Sequence, residues 1–166
     1  MTPAAFVKEI SGKDRKPLYV LSGGEPSALR RCLAAAEAAV SPDFRDFNHQ
    51  SLDLDSGQAG RLIGEAGTMP FFVPPRVVLA KNPAFGGDDW NALAAYLDDP
   101  NPDAAIIIVL EKIDARLKFF KKIKSADMEV DCRPPKGAAL VKWLSDEFKS
   151  RGVTAPSQAC SLIIER

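Results

Sequence analysis

Short apolar runs alternate with helix-like stretches along most of this chain, and this alternation limits its fold more than any other feature. The runs are rich in Val, Ile and Leu and are too short for typical helices, as expected for strands buried on both faces. They cover residues 18–21, 44–47, 76–80, 105–110 and 128–132, the last alternating with acids like an edge strand. Strands that alternate with helices imply βαβ units. We therefore predict an α/β fold with a parallel five-stranded sheet flanked by helices.

The stretches between these runs have helical periodicity. The clearest is residues 88–98, where Trp90, Leu93, Ala94 and Leu97 recur at the spacing of one helix face. Ser56 can cap the helix that precedes the third strand. The other predicted helices cover residues 3–10, 27–40 and 114–126.

Two adjacent prolines divide the chain after the fifth predicted strand. Pro134 and Pro135 predict a hinge. Beyond it, residues 138–149 and 155–164 have helical periodicity, but so short a segment cannot bury its own apolar faces. We predict one domain over residues 1–133 and, over residues 134–166, the truncated beginning of a small helical lid domain.

Composition restricts the class of protein. The chain has 166 residues with 22 basic and 22 acidic side chains, so a net charge of zero gives no general attraction to nucleic acid or anionic membranes. Its longest purely apolar run, residues 104–110, is far shorter than the roughly 20 residues that a membrane span requires. The first ten residues lack a signal-peptide core. We expect a cytoplasmic protein without membrane attachment.

Cysteine and histidine content argues against a metal centre. Cys32, Cys132 and Cys160 stand far apart, and His49 is the single histidine. A zinc site needs about four clustered ligands. We therefore predict no metal site and three free, buried or half-buried thiols in a reducing compartment.

The turn after the first predicted strand is where a nucleotide-binding fold of this kind holds phosphate. Such a turn needs glycines for close backbone approach, a lysine for the β- and γ-phosphates, and a Ser or Thr for magnesium. Gly23 and Gly24 are present, but the lysine is absent, Glu25 has the wrong charge and Pro26 lacks an N–H group. We interpret Gly23, Gly24 and Glu25 as a degenerate phosphate loop and predict that no nucleotide or other cofactor binds.

Other catalytic arrangements are equally incomplete. Hydrolysis of a nucleotide needs a carboxylate pair at the end of a later strand, whereas Glu111 stands alone there and is interpreted as a solvated side chain. We interpret His49 as a surface turn residue, and Asp53 and Asp55 as helix-capping residues. The sequence thus predicts no catalytic residues.

The connection before the third predicted strand is unusually apolar for a surface segment. It contains Met69, Pro70, Phe71 and Phe72, and three prolines in residues 68–76 predict a stiff, extended conformation. Adjacent side chains of an extended segment point in opposite directions, so at least one phenylalanine is expected to be exposed. A stiff loop with exposed apolar side chains suits a preorganised binding surface. The alternative, that both rings belong to the core, stays open on the residues alone.

Several ordered motifs resemble those of one family, the delta subunits of the bacterial DNA polymerase III clamp loader. The motif Thr-hydrophobic-Pro-Phe-Phe leading to Arg-Val-Val, at residues 68–78, is the most specific. The matches run from Tyr19 nearly to the end of the chain. The others are Tyr-hydrophobic-hydrophobic-x-Gly-x-Glu at 19–25, Phe-Asn and Leu-Asp at 47–53, a strand with Asp-x-Arg-x-x-Phe/Leu-x-Lys at 106–121, and Pro-Pro with Lys-Trp-Leu at 134–144.

This resemblance implies a P-loop/AAA+-like domain that has lost ATP binding, in a non-catalytic subunit of the DNA polymerase III holoenzyme. In the family, two neighbouring hydrophobic side chains enter a pocket on the sliding clamp, the beta subunit, and their positions match Phe71 and Phe72, beside Met69 and Pro70. The implied function is to bind the clamp and help open the ring for loading onto primed DNA in replication. The other implied partners are the remaining loader subunits, through C-terminal regions absent here. Residues 73–75 depart from the family pattern and imply a stiffer loop.

A basic stretch follows the fourth predicted strand. Arg116, Lys118, Lys121 and Lys122, with Lys124 nearby, are candidate contacts for DNA or a partner, any DNA contact being indirect or weak. The alternative is a solvated helix face opposite an apolar one.

Two other classes of function remain open from the residues. One is a divergent P-loop ATPase or kinase, which the turn at residues 23–26 argues against. The other is a scaffold domain of a related helicase loader or recombination factor, which binding to the clamp would distinguish.

Overall fold

The predicted alternation of strands and helices is present in the computed structural model, which describes residues 1–150 and 152–164. The chain divides into two units, Met1–Cys132 and Arg133–Arg166. In chain order, the elements of the first unit are α1 (Pro3–Ile10), β1 (Leu18–Ser22), α2 (Pro26–Ala38), a 3-10 turn (Pro42–Phe44), α3 (Arg45–Asn48), β2 (His49–Leu52), α4 (Ala59–Gly67), β3 (Arg76–Lys81), α5 (Gly87–Tyr96), β4 (Ala104–Leu110), α6 (Lys118–Ser125) and β5 (Glu129–Asp131).

The sheet of the first unit has five strands in the order β2-β3-β4-β1-β5, and every neighbouring pair is parallel. This confirms the predicted fold class and the edge position of β5. Because all strands run in one direction, every connection that enters a strand lies at the same end of the sheet, here called the amino end. Every connection that leaves a strand lies at the opposite, carboxyl end. The two candidate sites of the sequence lie at these two different ends.

Separate apolar clusters cover the two faces of the sheet. On one face, alternate strand residues pack with α4, α5 and α6, and on the other they pack with α1 and α2. Burial of one aliphatic side chain contributes about 1.5–3 kcal/mol, so these layers stabilise the unit. The strand residues of the first cluster include Leu18, Val20, Val78, Ile106 and Ile108, and those of the second include Tyr19, Leu21, Val77, Ile107 and Val109.

The prediction for the second strand was wrong in position. Phe44 and Phe47 lie in a 3-10 turn and the short helix α3, and β2 begins only at His49. His49 pairs in register with Val77 and is half-buried, so it is a strand residue and not a surface turn residue. Burial lowers the pKa of its imidazole below the ordinary value.

Two helices begin later than predicted. Helix α4 begins at Ala59, so Ser56 does not cap it; Gln58 occupies the cap position without a capping side-chain bond. Helix α6 begins at Lys118, because residues 114–117 form a turn in which the Leu117 N–H donates to the Asp114 carbonyl over 3.1 Å.

The described part of the second unit contains two helices, α7 (Ala138–Ser150) and α8 (Ser157–Ile164). Leu162 and Ile163 of α8 are exposed by 65% and 54%. The interpretation of residues 134–166 as the beginning of a lid domain stays a prediction. Three residues of that span, Arg151, Glu165 and Arg166, lie outside the described residues.

All three cysteines are free thiols with buried side chains, as predicted. Over residues 1–150 and 152–164, every helix is too short or too polar to cross a bilayer.

Candidate functional site

Four phenylalanine rings form a continuous cluster at the amino end of the sheet. Phe71 contacts Phe72 edge-on with ring centroids 4.4 Å apart, and it stacks on Phe47 at 4.7 Å. Phe44 stacks on Phe72 at 5.2 Å and meets Phe71 edge-on at 5.8 Å. These are the separations at which aromatic pairs attract one another. We call Phe44, Phe47, Phe71 and Phe72 the aromatic cluster.

Most of this apolar surface faces solvent. The exposed fractions are 45% for Phe71, 78% for Phe72 and 57% for Phe47, whereas Phe44 is half-buried. The prediction that at least one ring of the Phe71–Phe72 pair is exposed is therefore confirmed for both. Exposed apolar side chains that adjoin in a patch, unlike scattered ones, mark a surface used in binding.

Two connections build the aromatic cluster because they enter neighbouring strands. Phe44 and Phe47 precede β2, Phe71 and Phe72 precede β3, and β2 pairs with β3. The pairing brings the ends of both connections together at the amino end of the sheet. The cluster is thus a consequence of strand order.

The loop before β3 is turned, not extended as predicted. The Val73 N–H donates to the Phe71 carbonyl over 2.8 Å and closes a three-residue turn around Phe72, whose φ is 60°. This left-handed conformation is uncommon for a residue with a side chain and costs about 1–3 kcal/mol. The turn places both rings in one cluster, where an extended chain would direct them to opposite sides. A cis peptide bond joins Pro74 to Pro75.

Met69 and Pro70 lie at the start of the same loop. Met69 is the most exposed large apolar side chain described, at 84%, and Pro70 is half-buried. Val73, which follows the turn, is exposed by 46%. The sequence-predicted residues of this loop are therefore at least partly accessible to solvent.

The fully buried amide of Asn48 joins the two connections. Its Oδ1 accepts from the Phe71 N–H over 2.6 Å, and its Nδ2 donates to the carbonyls of Phe71 and Val73 over 3.0 and 3.1 Å. One side chain thus bonds both polar groups of Phe71 and the end of the turn.

Arg76, the first residue of β3, supports the same region from below. Its guanidinium donates to the carbonyls of Phe47 and Glu65, to Gln50 Oε1 over 3.0 Å, and to the Glu65 carboxylate over 2.7 Å. The side chain is only 9% exposed, so these partners replace water as its hydrogen-bonding environment. Arg76 therefore connects α3, α4, β2 and β3 behind the cluster.

In the degenerate phosphate loop at the carboxyl end of the sheet, the backbone N–H groups of Gly23 and Glu25 bond within the protein. The Gly23 N–H donates to the Leu110 carbonyl over 3.0 Å, and the Glu25 N–H donates to the Cys132 carbonyl over 3.1 Å. Gly23 has a φ of 105°, a conformation that favours glycine. Gly24 is exposed at the tip of the turn.

Glu25 caps α2 at the position where phosphate binds in nucleotide-binding folds. Its carboxylate accepts from the N–H groups of Ser27 and Ala28 over 3.0 and 2.6 Å, and from the Ser27 hydroxyl over 2.8 Å. Burial opposes ionisation, but these hydrogen bonds outweigh it and hold the pKa of Glu25 below its ordinary value. A helix N-terminus attracts an anion, and here the chain supplies that anion itself.

A second carboxylate has the same arrangement at this end of the sheet. Asp89 of α5 is buried and accepts from the N–H groups of Gly57, Ala59 and Gly86 over 2.8, 3.0 and 2.9 Å. Burial again opposes ionisation, and the three hydrogen bonds lower the pKa below 3.8. Asp89 thus performs the capping of α4 that the sequence assigned to nearer residues. Asp53 and Asp55 are exposed.

The basic stretch is partly committed to contacts within the chain. Arg116 pairs with Asp114, and its side chain is 89% exposed. Lys122 pairs with Asp98 and donates to the Ala94 carbonyl over 2.8 Å, which ties α6 to α5. Lys118 and Lys121, like Lys124, are exposed on α6.

The remaining candidates do not assemble into a reaction centre. Glu111 is exposed at the end of β4, and His49 lies in β2. Within the described residues, no group of three or more His, Cys, Asp and Glu side chains is placed to hold a metal ion.

Sequence reasoning missed the contacts that shape the aromatic cluster. Asn48 and Arg76 stood in the quoted motifs but were assigned no role, and Phe47 was assigned to a strand. The useful signal was the Phe-Asn pair directly before a strand that adjoins the strand after Pro-Phe-Phe. Asp89 gave no signal beyond an acid in the first turn of a predicted helix.

A family model described as "DNA polymerase III, delta subunit" matches residues 19–133. A curated relative, DNA polymerase III subunit delta of Bacillus subtilis (strain 168), is 29% identical over 129 residues, which cover 70% of this chain and 37% of the relative. The chain thus spans little more than a third of that relative's length.

Solved structures share the fold. A Bacillus subtilis DNA clamp loader delta protein matches with a TM-score of 0.80 at 21% identity, over 98% of this chain and 52% of that one. A DNA polymerase III gamma subunit-related protein of Thermotoga maritima matches with a TM-score of 0.55 at 15% identity, over 90% of this chain and 52% of that one. At these identities the likeness shows the fold alone.

Proposed function

Because the chain belongs to the DNA polymerase III delta-subunit family, we propose that its first unit binds the sliding clamp through the aromatic cluster and helps to open the ring. The solved relative is described as a DNA clamp loader delta protein, which supports a role in clamp loading during replication. Phe71 and Phe72, with Met69 and Pro70, are the proposed clamp-binding residues.

One observation carries this proposal: Phe71 and Phe72 are both exposed and share one apolar patch at the amino end of the sheet. Buried aromatic anchors dominate the free energy of many interfaces. Full burial of one such ring contributes roughly 1.5–3 kcal/mol, so the pair can supply several kcal/mol. A rigid scaffold below the rings lowers the conformational entropy lost on binding.

Ring opening follows from differential binding. A clamp has closed and open states, and a protein that binds the open state more tightly raises its population without consuming ATP. The proposed role therefore needs no catalytic residue in this chain. The other loader subunits are proposed as partners of the complete protein, and the cytoplasm as its location.

The alternative of a divergent P-loop ATPase or kinase has less support. Glu25 places a carboxylate on the N–H groups of Ser27 and Ala28, which a phosphate needs, and no lysine follows Gly23 and Gly24. We propose a subunit with no catalytic activity of its own. Any contact of the basic stretch with DNA is proposed to be weak, since Arg116 and Lys122 already form ion pairs.

The test is a Phe71→Ala, Phe72→Ala double variant measured against immobilised sliding clamp by surface plasmon resonance. We expect binding to weaken by on the order of 100-fold or more, because the loss of a few kcal/mol multiplies the dissociation constant by ten for every 1.4 kcal/mol. The melting temperature should change little, since both rings are exposed in the free protein.

A Leu162→Ala, Ile163→Ala variant is the matched control, because it also removes two adjacent, exposed apolar side chains. It should bind as the unchanged protein does. Normal clamp binding by the phenylalanine variant would show that the assignment of these rings is wrong. Unfolding of that variant would show that the rings are part of the core.

A further inference from the structure

We propose that the segment before β2 forms the second half of the clamp-binding surface, with Phe47 as a contact residue and Asn48 as the residue that positions the loop. This inference rests on the proposed function, since it extends the surface around Phe71 and Phe72. The clamp surface that it fits is an apolar depression wide enough for the adjoining rings of Phe47, Phe71 and Phe72.

The argument begins with the complete burial of Asn48. A buried amide must find its hydrogen-bond partners within the protein, and those of Asn48 are backbone groups of Phe71 and Val73. These are the two residues that flank Phe72 in the turn. The three hydrogen bonds of the amide can form together only when the loop is turned, with the Phe71 and Val73 carbonyls side by side. The Asn48 side chain therefore favours the turned conformation.

This shape is one that the loop does not prefer by itself. Phe72 has a φ of 60°, which an isolated chain rarely adopts at a residue with a side chain. A strained backbone conformation of this kind persists only where surrounding contacts hold it, and such residues are frequent at binding sites. Asn48 supplies three such contacts from a neighbouring strand connection. Without them, we expect the loop to relax toward the extended form, which separates the rings of Phe71 and Phe72.

Phe47 lies directly beside Asn48 and points the other way. Asn48 is fully buried, whereas 57% of Phe47 is exposed and its ring stacks on Phe71 at 4.7 Å with the planes 29° apart. A partner that covers Phe71 therefore also covers Phe47, because the rings adjoin. Half-buried Phe44 stacks against Phe72 and also meets Phe71 edge-on. One dipeptide thus provides both an outer contact and an inner anchor.

The positioning role is tested with Asn48→Ala in the full chain, measured against immobilised sliding clamp. Asn101→Ala is the matched control, since Asn101 also bonds backbone groups, the Ala66 carbonyl over 2.8 Å and the Asp103 N–H over 3.0 Å, but outside the loop. We expect Asn48→Ala to bind the clamp about tenfold more weakly than Asn101→Ala, through loss of preorganisation. Asn48→Asp keeps the acceptor for the Phe71 N–H but turns a buried carboxylate oxygen toward the Phe71 and Val73 carbonyls, so it should bind no better than Asn48→Ala.

Two further measurements separate positioning from general damage. Amide hydrogen exchange at Phe71 should become faster in Asn48→Ala, while exchange in β1 and β4 stays slow. Adding Asn48→Ala to the Phe71→Ala, Phe72→Ala variant should cause no further loss of binding, because the residue acts through those rings. Equal binding by Asn48→Ala and Asn101→Ala, or a full additional loss in the combined variant, would overturn the positioning role.

The contact role is tested with Phe47→Ala, which should weaken clamp binding about tenfold and leave the melting temperature nearly unchanged. Binding equal to the unchanged protein would overturn it. If Phe71→Ala, Phe72→Ala binds normally, the proposed function itself is wrong. If that variant fails to bind while Phe47→Ala and Asn48→Ala bind normally, the proposed function stands and only the present inference is wrong.

Discussion

The two ends of the sheet differ in how far their functional side chains are bonded within the protein. At the carboxyl end, Glu25 and Asp89 place carboxylates on the backbone N–H groups of helix and turn residues. At the amino end, Phe71 and Phe72 leave large apolar surfaces in solvent. These N–H groups at the carboxyl end have their partners within the chain, whereas the amino end exposes apolar side chains to solvent.

This difference teaches that fold and binding chemistry are separable within one domain. In open α/β sheets, ligands ordinarily bind at the carboxyl ends of the strands. Here that end has become a structural junction, and the features that point to binding lie at the opposite end. The likeness to the solved structures thus describes the scaffold, whereas function depends on the residues placed at particular sites.

The largest stability effect should come from the support beneath the open end. Arg76→Met removes four hydrogen bonds and leaves the Phe47 carbonyl and the Glu65 carboxylate without their donor. We expect the free energy of unfolding to fall by about 3 kcal/mol, as for other broken buried ion pairs. Urea denaturation measures this.

Arg116→Met is the control for this change, because Arg116 also forms an arginine–carboxylate pair but is 89% exposed. Exposed pairs add little to stability, so this variant should unfold at the same urea concentration as the unchanged chain. Equal destabilisation by the two variants would contradict the supporting role of Arg76.

A smaller loss should follow removal of the buried carboxylate at the closed end. Asp89→Asn replaces an acceptor of three N–H groups by a side chain with one acceptor atom, so we expect a loss of about 2 kcal/mol. Asp88→Asn, its exposed neighbour, is the control and should cost much less. Thermal unfolding at pH 7 compares the two.

The pH dependence of stability sharpens this prediction. The pKa of Asp89 is lowered in the folded state, so its contribution is present above the ordinary value of 3.8 and is lost as the pH falls through the folded-state pKa. The unchanged protein should therefore lose stability in acid more steeply than Asp89→Asn. Parallel curves for the two proteins below pH 4 would show that Asp89 is not the group responsible.

The smallest effect concerns Glu25. Glu25→Ala removes the cap of α2 and should cost about 1 kcal/mol. It should not create nucleotide binding, because the turn still lacks a lysine and a metal-binding carboxylate pair. Calorimetry with ATP and magnesium should show no heat of binding for either protein. A micromolar dissociation constant for the unchanged chain would contradict the interpretation of residues 23–25 as a degenerate phosphate loop.

Features that depend on neighbouring residues in the sequence were predicted, whereas those that depend on residues far apart in the chain were missed. Strands β3 and β4 were found because their continuous apolar runs report burial on both faces. Strand β2 was misplaced because only Leu52 of its four residues is fully buried, so its own pattern carries little signal. The nearby apolar side chains, Phe44 and Phe47, were taken for the strand instead.

The same limit applies to the sites. The missing lysine and the charge of Glu25 predicted a failed phosphate loop, since those features are local. The contacts of Asn48 with Phe71 and of Asp89 with Gly57 join residues 23 and 32 positions apart. No local periodicity encodes such pairs, and only the order of the strands brings them together.

The aromatic cluster is complete only when β2 has paired with β3. β2 is a four-residue strand at the border of the sheet, pairs with β3 alone among the described strands, and brings Phe47 and Asn48 to the loop before β3. Border strands with few pairs are the parts of a sheet that open most readily. A nascent chain, or one whose border strand has detached, therefore lacks the finished surface. Under the proposed function, a chain whose β2 has detached from β3 should therefore bind the clamp more weakly than the fully paired chain.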